Sequence, residues 1–175
     1  MADIWFISDH HFIHVNILKF TDSKGNRIRP EFNTIEEMHE DMVNKHNSVV
    51  KTTDKVYFQG DVTFKYGSEF NSLMSRLNGH KRLLIGNHDR IKGTNLLNWF
   101  EKVEMWKFFK EHGFVCSHFP LLKDQFIHKV KANVHGHTHQ NIINQPEYIN
   151  VCCEILKNKP IHLDEIKKII KDRGL

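Results

Sequence analysis

Short apolar runs alternate along the chain with longer segments whose apolar residues recur at helical spacing. Five runs, at residues 4–7 (IWFI), 56–58 (VYF), 83–85 (LLI), 114–116 (FVC) and 132–134 (ANV), predict buried strands. Three segments predict helices. Thr34 and Glu37 match a capping box, with Ile35, Met38, Met42 and Val49 following on one face. Phe70, Leu73, Met74 and Leu77 form a second stripe, stopped by Asn78-Gly79. Leu163, Ile166, Ile169 and Ile170 form a third, closed by Gly174. The basic stretch 21–32 (TDSKGNRIRPEF) reads as a long surface loop. Strands alternating with helices predict an α/β domain, and the later strands, which lack helices between them, predict a mixed or a second sheet. No repeat or linker divides the chain, so residues 1–175 read as one domain.

Composition changes this picture little. Hydrophobic residues are 39% and charged residues 26% of the 175, as in ordinary globular proteins. No apolar run spans a bilayer and no leader pattern opens the chain. The cysteines, Cys116, Cys152 and Cys153, are odd in number, which argues against a disulfide framework and for a reducing cytoplasm. A formal charge of +4 leans toward anionic partners without identifying one. The 14 histidines are more telling, because histidine is the commonest metal ligand.

Each of the five strands runs into residues that can bind metal: Asp9 and His11, Gly60-Asp61, Gly86-Asn87-His88-Asp89, His118, and His135-Gly136-His137-Thr138-His139. Ligands of open α/β sheets bind beyond the carboxyl ends of strands, so the five endings are expected to converge. A glycine before Asp61, Asn87 and His137 lets the chain turn sharply there.

In that order, Asp9-His10-His11, Gly60-Asp61, Gly86-Asn87-His88-Asp89, Ser117-His118 and Gly136-His137-Thr138-His139 resemble the signature of the calcineurin-like metallophosphoesterases. The opening SDHHFIHVNI is most similar to small stand-alone bacterial and phage-type members, with Ile13 where their pattern has glycine. The resemblance covers residues 9–139 and implies a four-layer α/β/β/α sandwich of two mostly mixed sheets flanked by helices. It implies a first metal held by Asp9, His11 and His139, and a second by Asn87, His118 and His137, with Asp61 bridging both. On an extended strand, residues two apart such as Asp9 and His11 would face the same way. Nitrogen and oxygen donors suit two divalent ions, Mn first, then Fe or Zn, with Co and Ni also compatible. Two such ions against Asp9, Asp61 and a bridging hydroxide leave about one net positive charge, which favours a phosphate. The family pattern makes His88 a non-ligand suited to protonate the leaving alkoxide.

Around this set, His14, Asn16, Asp89, Arg90 and His135 are candidates for lining the substrate or supporting the ligands. Arg90 and Lys92, with Arg27 and Arg29, are candidate phosphate contacts. His10 faces away from Asp9 and His11 on an extended strand, and the cysteines read as buried structural thiols. His39, His46, His80, His112, His128 and His162 lie outside the motifs and read as surface residues. After Asp61 the chain continues Val62-Thr63-Phe64, without the Asp-Arg pair of the protein phosphatases. The expected function is therefore hydrolysis of a small phosphodiester, nucleotide-like or a nucleic-acid end. A phosphomonoesterase comes second and a non-catalytic scaffold third. Neither a membrane nor a protein partner is implied.

Overall fold

A computed structural model describes residues 2–90, 92, 95–127 and 129–175. Among the described residues, nine strands form two sheets. The first contains β1 (Ile4–Ile7), β2 (Lys55–Phe58), β3 (His80–Leu84), β4 (Lys102–Glu104) and β9 (Ile161–His162), in the order β4-β3-β2-β1-β9. The second contains β5 (Trp106–Phe109), β6 (Phe114–Ser117), β7 (Ala132–His135) and β8 (Tyr148–Asn150), in that order. Each sheet is parallel except at one edge, where β9 and β5 run antiparallel to their neighbours. The result is an α/β fold of two mixed sheets flanked by helices.

Why the five strands read as unbroken apolar runs follows from burial on both faces. Trp5 and Ile7 of β1, with Val56, Phe58 and Leu83, pack toward the helices α1 (Ile35–Asn47) and α2 (Ser68–Arg76). Phe6, Tyr57 and Leu84 face the other way, onto Phe109, Phe114, Cys116, Val134 and Ile149 of the second sheet. Helix α4 (Leu163–Asp172) closes this second core with Ile166 and Ile170. The capping box of α1 is formed: Glu37 N–H donates to Thr34 Oγ1 at 3.1 Å, and Thr34 N–H donates to Glu37 Oε2 at 3.1 Å. None of the described helices is long and apolar enough to cross a membrane.

The edge strands β4, β5, β8 and β9 and the single-turn helix α3 (Cys153–Leu156) escape the hydrophobic pattern. They have two to four residues each, too few to show a period.

Two expectations about histidines fail here. His39 and His46, expected at the surface, are 5% and 1% exposed. Seven apart on α1, they lie on its inner face, where each ring finds a backbone partner. Ile13 N–H donates to His39 Nε2 at 3.0 Å, and His46 Nε2 pairs with Asn78 O at 2.9 Å. His80 is exposed, and His112 and His162 are half-buried. His128 lies outside the described residues.

The two buried rings make stability depend on pH. Burial pushes each from the ordinary 6.5 down to about 4. The unfolded chain binds their protons near pH 6.5, so the stability they confer is complete above that pH and drains away as pH falls toward 4. For His46 this amounts to at most about 1.4 kcal/mol per pH unit across the window. Thermal melts between pH 7 and 4 are expected to show a falling Tm. The double variant His39→Gln/His46→Gln should flatten that slope, and an unchanged slope would refute the assignment.

Register is what positions the site. Ile7, Phe58 and Leu83 pair across β1, β2 and β3, so these strands end level. Ser117, His135 and Asn150 do the same in the second sheet. Just past β1, Ser8 pairs with Cys152 just past β8: Ser8 N–H donates to Val151 O at 2.9 Å, and Cys153 N–H donates to Ser8 O at 3.0 Å. This bridge ties the carboxyl ends of the two sheets together at the point where Asp9 begins.

Candidate metal centre

At that shared edge the five endings meet and arrange their donors in two groups. Asp9, His11 and His139 offer ligand atoms within 4.8 Å of one another, and so do Asp61, His118 and His137. Asp9 Oδ1 lies 3.8 Å from His11 Nε2 and 3.9 Å from His139 Nε2. Asp61 Oδ2 lies between the groups, 3.7 Å from His11 Nε2 and 3.4 Å from His118 Nε2. Asn87 Oδ1 joins the second group, 3.0 Å from His118 Nε2.

The extended-strand account of Asp9 and His11 is corrected by the backbone. β1 stops at Ile7, and Asp9 and His11 adopt left-handed φ values of 60° and 51°. Asp61, His137 and His139 do likewise, at 51°, 69° and 50°. Left-handed turns beyond the strands, rather than strand alternation, therefore aim these side chains. Such backbone costs on the order of 1–3 kcal/mol per residue and clusters at functional sites. Ile13 also sits at φ 61°, a conformation that suits glycine far better than a β-branched residue.

The glycines serve mainly close approach. A Cβ on Gly86 would collide with the Asp61 carboxylate and backbone N–H, and one on Gly136 with Ser8 Oγ and Asp9 Oδ2. Neither of these two has a positive φ, so the expected sharp turn is not their reason. Gly60 combines both demands: φ is 89°, and a Cβ would strike His118 Nδ1.

Hydrogen bonds fix the donors. His137 N–H and the Cys152 thiol donate to Asp9 Oδ2, at 2.9 and 3.2 Å, which leaves Oδ1 to the first group. His88 N–H donates to Asp61 Oδ1 at 2.9 Å, leaving Oδ2 between the groups. His118 Nδ1 pairs with Gln59 O at 2.8 Å, so Nε2 is the nitrogen that faces Asp61 and Asn87. Asp89 accepts from the backbone N–H groups of Asp61, Gly86 and Val62 at 2.9, 2.9 and 3.0 Å, pinning two of the endings together.

The carboxylates are ready to act as ligands. Burial works to raise the Asp9 and Asp61 carboxyls, but the surrounding imidazoles hold both below the usual range. Burial also opposes charge on His118 and His139, and the neighbouring carboxylates Asp61 and Glu154 outweigh it and raise them. Burial, reinforced by the neighbouring His118 and His139 rings, lowers His137, and burial together with the Asp61 carboxylate raises Asp89.

Do these residues fit a metal? Asp9 Oδ1 and His11 Nε2 are buried and make no hydrogen bond, yet they point at each other across a space bounded by His139. Buried polar atoms without partners are costly. His118 Nε2 also lies among oxygens, in hydrogen-bond range of Asn87 Oδ1 at 3.0 Å and 3.4 Å from Asp61 Oδ2. Acceptor atoms converging without hydrogens between them are what a cation satisfies, and the nitrogen–oxygen set suits a divalent transition ion.

Arg29 overturns its reading as a surface phosphate contact. It is 2% exposed, and the loop expected to lie on the surface folds inward to bring it there with Phe32. Its guanidinium donates to Asp9 O at 2.6 Å, His10 O at 2.9 Å and Glu154 Oε1 at 2.8 Å. Glu154 also pairs with His139 Nδ1 at 3.0 Å. A carboxylate behind a histidine sets its tautomer and orientation. Glu154 went unnoticed in the sequence because an acidic residue after two cysteines carries no motif. Removing it with Glu154→Ala is expected to weaken divalent-ion binding by ~10–100-fold. The same change should lower stability by ~3–5 kcal/mol, because Arg29 is left unpaired in the interior. A calorimetric metal titration and a denaturant melt check both; no change in either would refute the role given to Glu154.

The remaining candidates scatter. His135 is fully buried, with Nδ1 against Gly136 O. His10 is buried between Phe12 and Phe58. His14 stacks on Phe64 near His11, while Asn16, Arg90 and Lys92 are exposed. Arg90 N–H donates to Tyr66 Oη at 2.7 Å. The His88 side chain is exposed, its ring 5.7 Å from that of His11. Phe64, against His88, and Phe119, against His118 and His137, border the centre and were not anticipated. An apolar residue three positions after Asp61 in a polar loop was the available signal for Phe64.

No family model matches the chain. The crystal structure of a protein of unknown function from Aquifex aeolicus superposes with a TM-score of 0.75 at 26% identity, covering 97% of this chain and all of that one. The gene 66 protein of a mycobacterium phage is 24% identical over 98% of this chain and 98% of its own length. An uncharacterized protein of Methanocaldococcus jannaschii is 32% identical over 182 residues, which span 98% of this chain and 93% of that protein. At that identity and coverage, the chain belongs to one family with the Methanocaldococcus jannaschii protein.

Proposed function

We propose that the chain is a metal-dependent phosphoesterase of the calcineurin-like type, holding two divalent ions within a four-layer α/β/β/α sandwich and hydrolysing phosphodiesters of nucleotide type. The observation that carries this is the position of Asp61 Oδ2 between two donor groups, within 3.7 Å of a nitrogen of each flanking histidine. One carboxylate oxygen placed so could serve both ions. Asp9, His11 and His139 would hold the first ion, and Asn87, His118 and His137 the second. Mn is the first choice on donor chemistry, with Fe, Zn, Co or Ni compatible.

Bound there, two divalent ions supply Lewis acidity to the phosphoryl group and lower the pKa of water near neutral pH. The chain's own residues do the rest. Asp9 and Asp61 bring two negative charges, and Arg29 offsets that of Glu154, so the loaded centre stays positive toward a phosphate. A water that has released one proton to solvent would bond through its oxygen to phosphorus as the opposite P–O ester bond breaks, its electron pair leaving with the ester oxygen. His88, exposed and held by its backbone bond to Asp61, delivers its ring proton to the departing oxygen. Asp89 keeps the Asp61 and Asn87 loops in register during the exchange.

Hydrolysis of bis(p-nitrophenyl) phosphate and p-nitrophenyl phosphate with added Mn tests this reading. Diester cleavage is the expected result. Cleavage of the monoester alone would favour a phosphomonoesterase, and metal binding without turnover of either would favour a scaffold.

A further inference from the structure

Beside the centre, Phe64 presents an aromatic ring that is 41% exposed, and a single exposed phenylalanine is ordinary. This one is not alone. The ring of His14 lies flat against it, with centroids 3.9 Å apart and planes 14° apart. The pair forms a wall that runs into the centre: the Phe64 ring is 4.7 Å from that of His88, and the His14 ring is 5.5 Å from that of His11. A cleft of about 210 Å³ opens against this wall, lined also by Ile13, Val15, Asn16 and Lys65. It is smaller than the ~300–1,000 Å³ of a pocket for a drug-sized ligand, so it takes one ring system. The exposed Asn16 amide and Lys65 ammonium at its rim can meet the polar edge of that ring.

We infer that the Phe64–His14 wall is a base-binding subsite, seating the nucleobase of one nucleotide unit whose phosphate lies at the metal centre. This rests on the phosphoesterase reading and names its substrate class. The outer face of an aromatic stack that ends at a candidate phosphate site matches a molecule that is flat and aromatic at one end and anionic at the other. Aromatic stacking of this kind tolerates any base, so selectivity between bases would fall to the rim.

The test compares calorimetric affinities of the Mn-loaded protein for two hydrolysis-resistant ligands, the 5′-phosphonate analogues of adenosine monophosphate and of ribose 5-phosphate. They differ only in the base. The wild type is expected to prefer the adenosine ligand by roughly tenfold, the size of one stacked base. Phe64→Ala should bring the ratio of the two affinities toward one, and Phe64→Trp should restore it. Because a ratio is read, general damage to the centre cancels. Equal affinities in the wild type, or a ratio unmoved by Phe64→Ala, would overturn the subsite while leaving the phosphoesterase reading intact. Failure of both ligands to bind would bring down both. A phosphorylated tetranucleotide that binds more than about tenfold tighter than the mononucleotide analogue would overturn the single-unit assignment.

Discussion

Asp61→Asn is expected to abolish phosphodiester hydrolysis and to leave at most one tightly held metal ion per chain. Asp61 Oδ2 is the atom that faces His11 Nε2 at 3.7 Å and His118 Nε2 at 3.4 Å, so it belongs to the second donor group and borders the first. The amide keeps the shape of the side chain but removes its charge, and an amide group has only one acceptor oxygen. That oxygen can either accept from His88 N–H, as Oδ1 does now at 2.9 Å, or serve a metal. The loss should exceed the ~10²–10³-fold that removal of one stabilising donor costs an enzyme. Metal analysis after dialysis, alongside the diester assay, checks both halves. A variant with full turnover and an unchanged metal content would mean that Asp61 does not bridge.

His88→Asn separates chemistry from assembly. The His88 side chain is exposed, and only its backbone N–H is tied to the donor set. Asparagine keeps that N–H and so keeps Asp61 Oδ1 in place, but it has no proton to give at neutral pH. Turnover is expected to fall by ~10²–10⁴-fold with the metal content unchanged. The deficit should shrink for esters whose leaving group is already a weak base, such as p-nitrophenolate, and widen for alkyl esters. Equal losses on both kinds of ester would exclude proton donation by His88.

How much of this was legible in the sequence varies with physical cause. The five central strands were, because burial on both faces turns them into unbroken apolar runs. The capping box at Thr34 was, because its two hydrogen bonds demand particular side chains three apart. The candidate donors were visible as polar residues that follow those runs. The turn geometry that aims them was not. Sequence spacing suggested extended strands through Asp9 and His11, whereas both sit at left-handed φ in turns beyond β1. Contacts between distant segments were equally hidden. Nothing local marks Arg29 and Glu154, 125 positions apart, as one buried ion pair behind the centre. The inward-facing His39 and His46 were not legible because a polar ring adds nothing to the hydrophobic stripe, although both fall on the inner face of α1.

Metal stoichiometry decides whether the joined sheet ends form a centre for two ions. Equilibrium dialysis of the wild-type chain against Mn, followed by elemental analysis, is predicted to give two tightly held ions per chain. Magnetic resonance should show them coupled, as ions sharing the Asp61 carboxylate must be. One ion or none per chain, or two that are magnetically independent, would contradict such a centre.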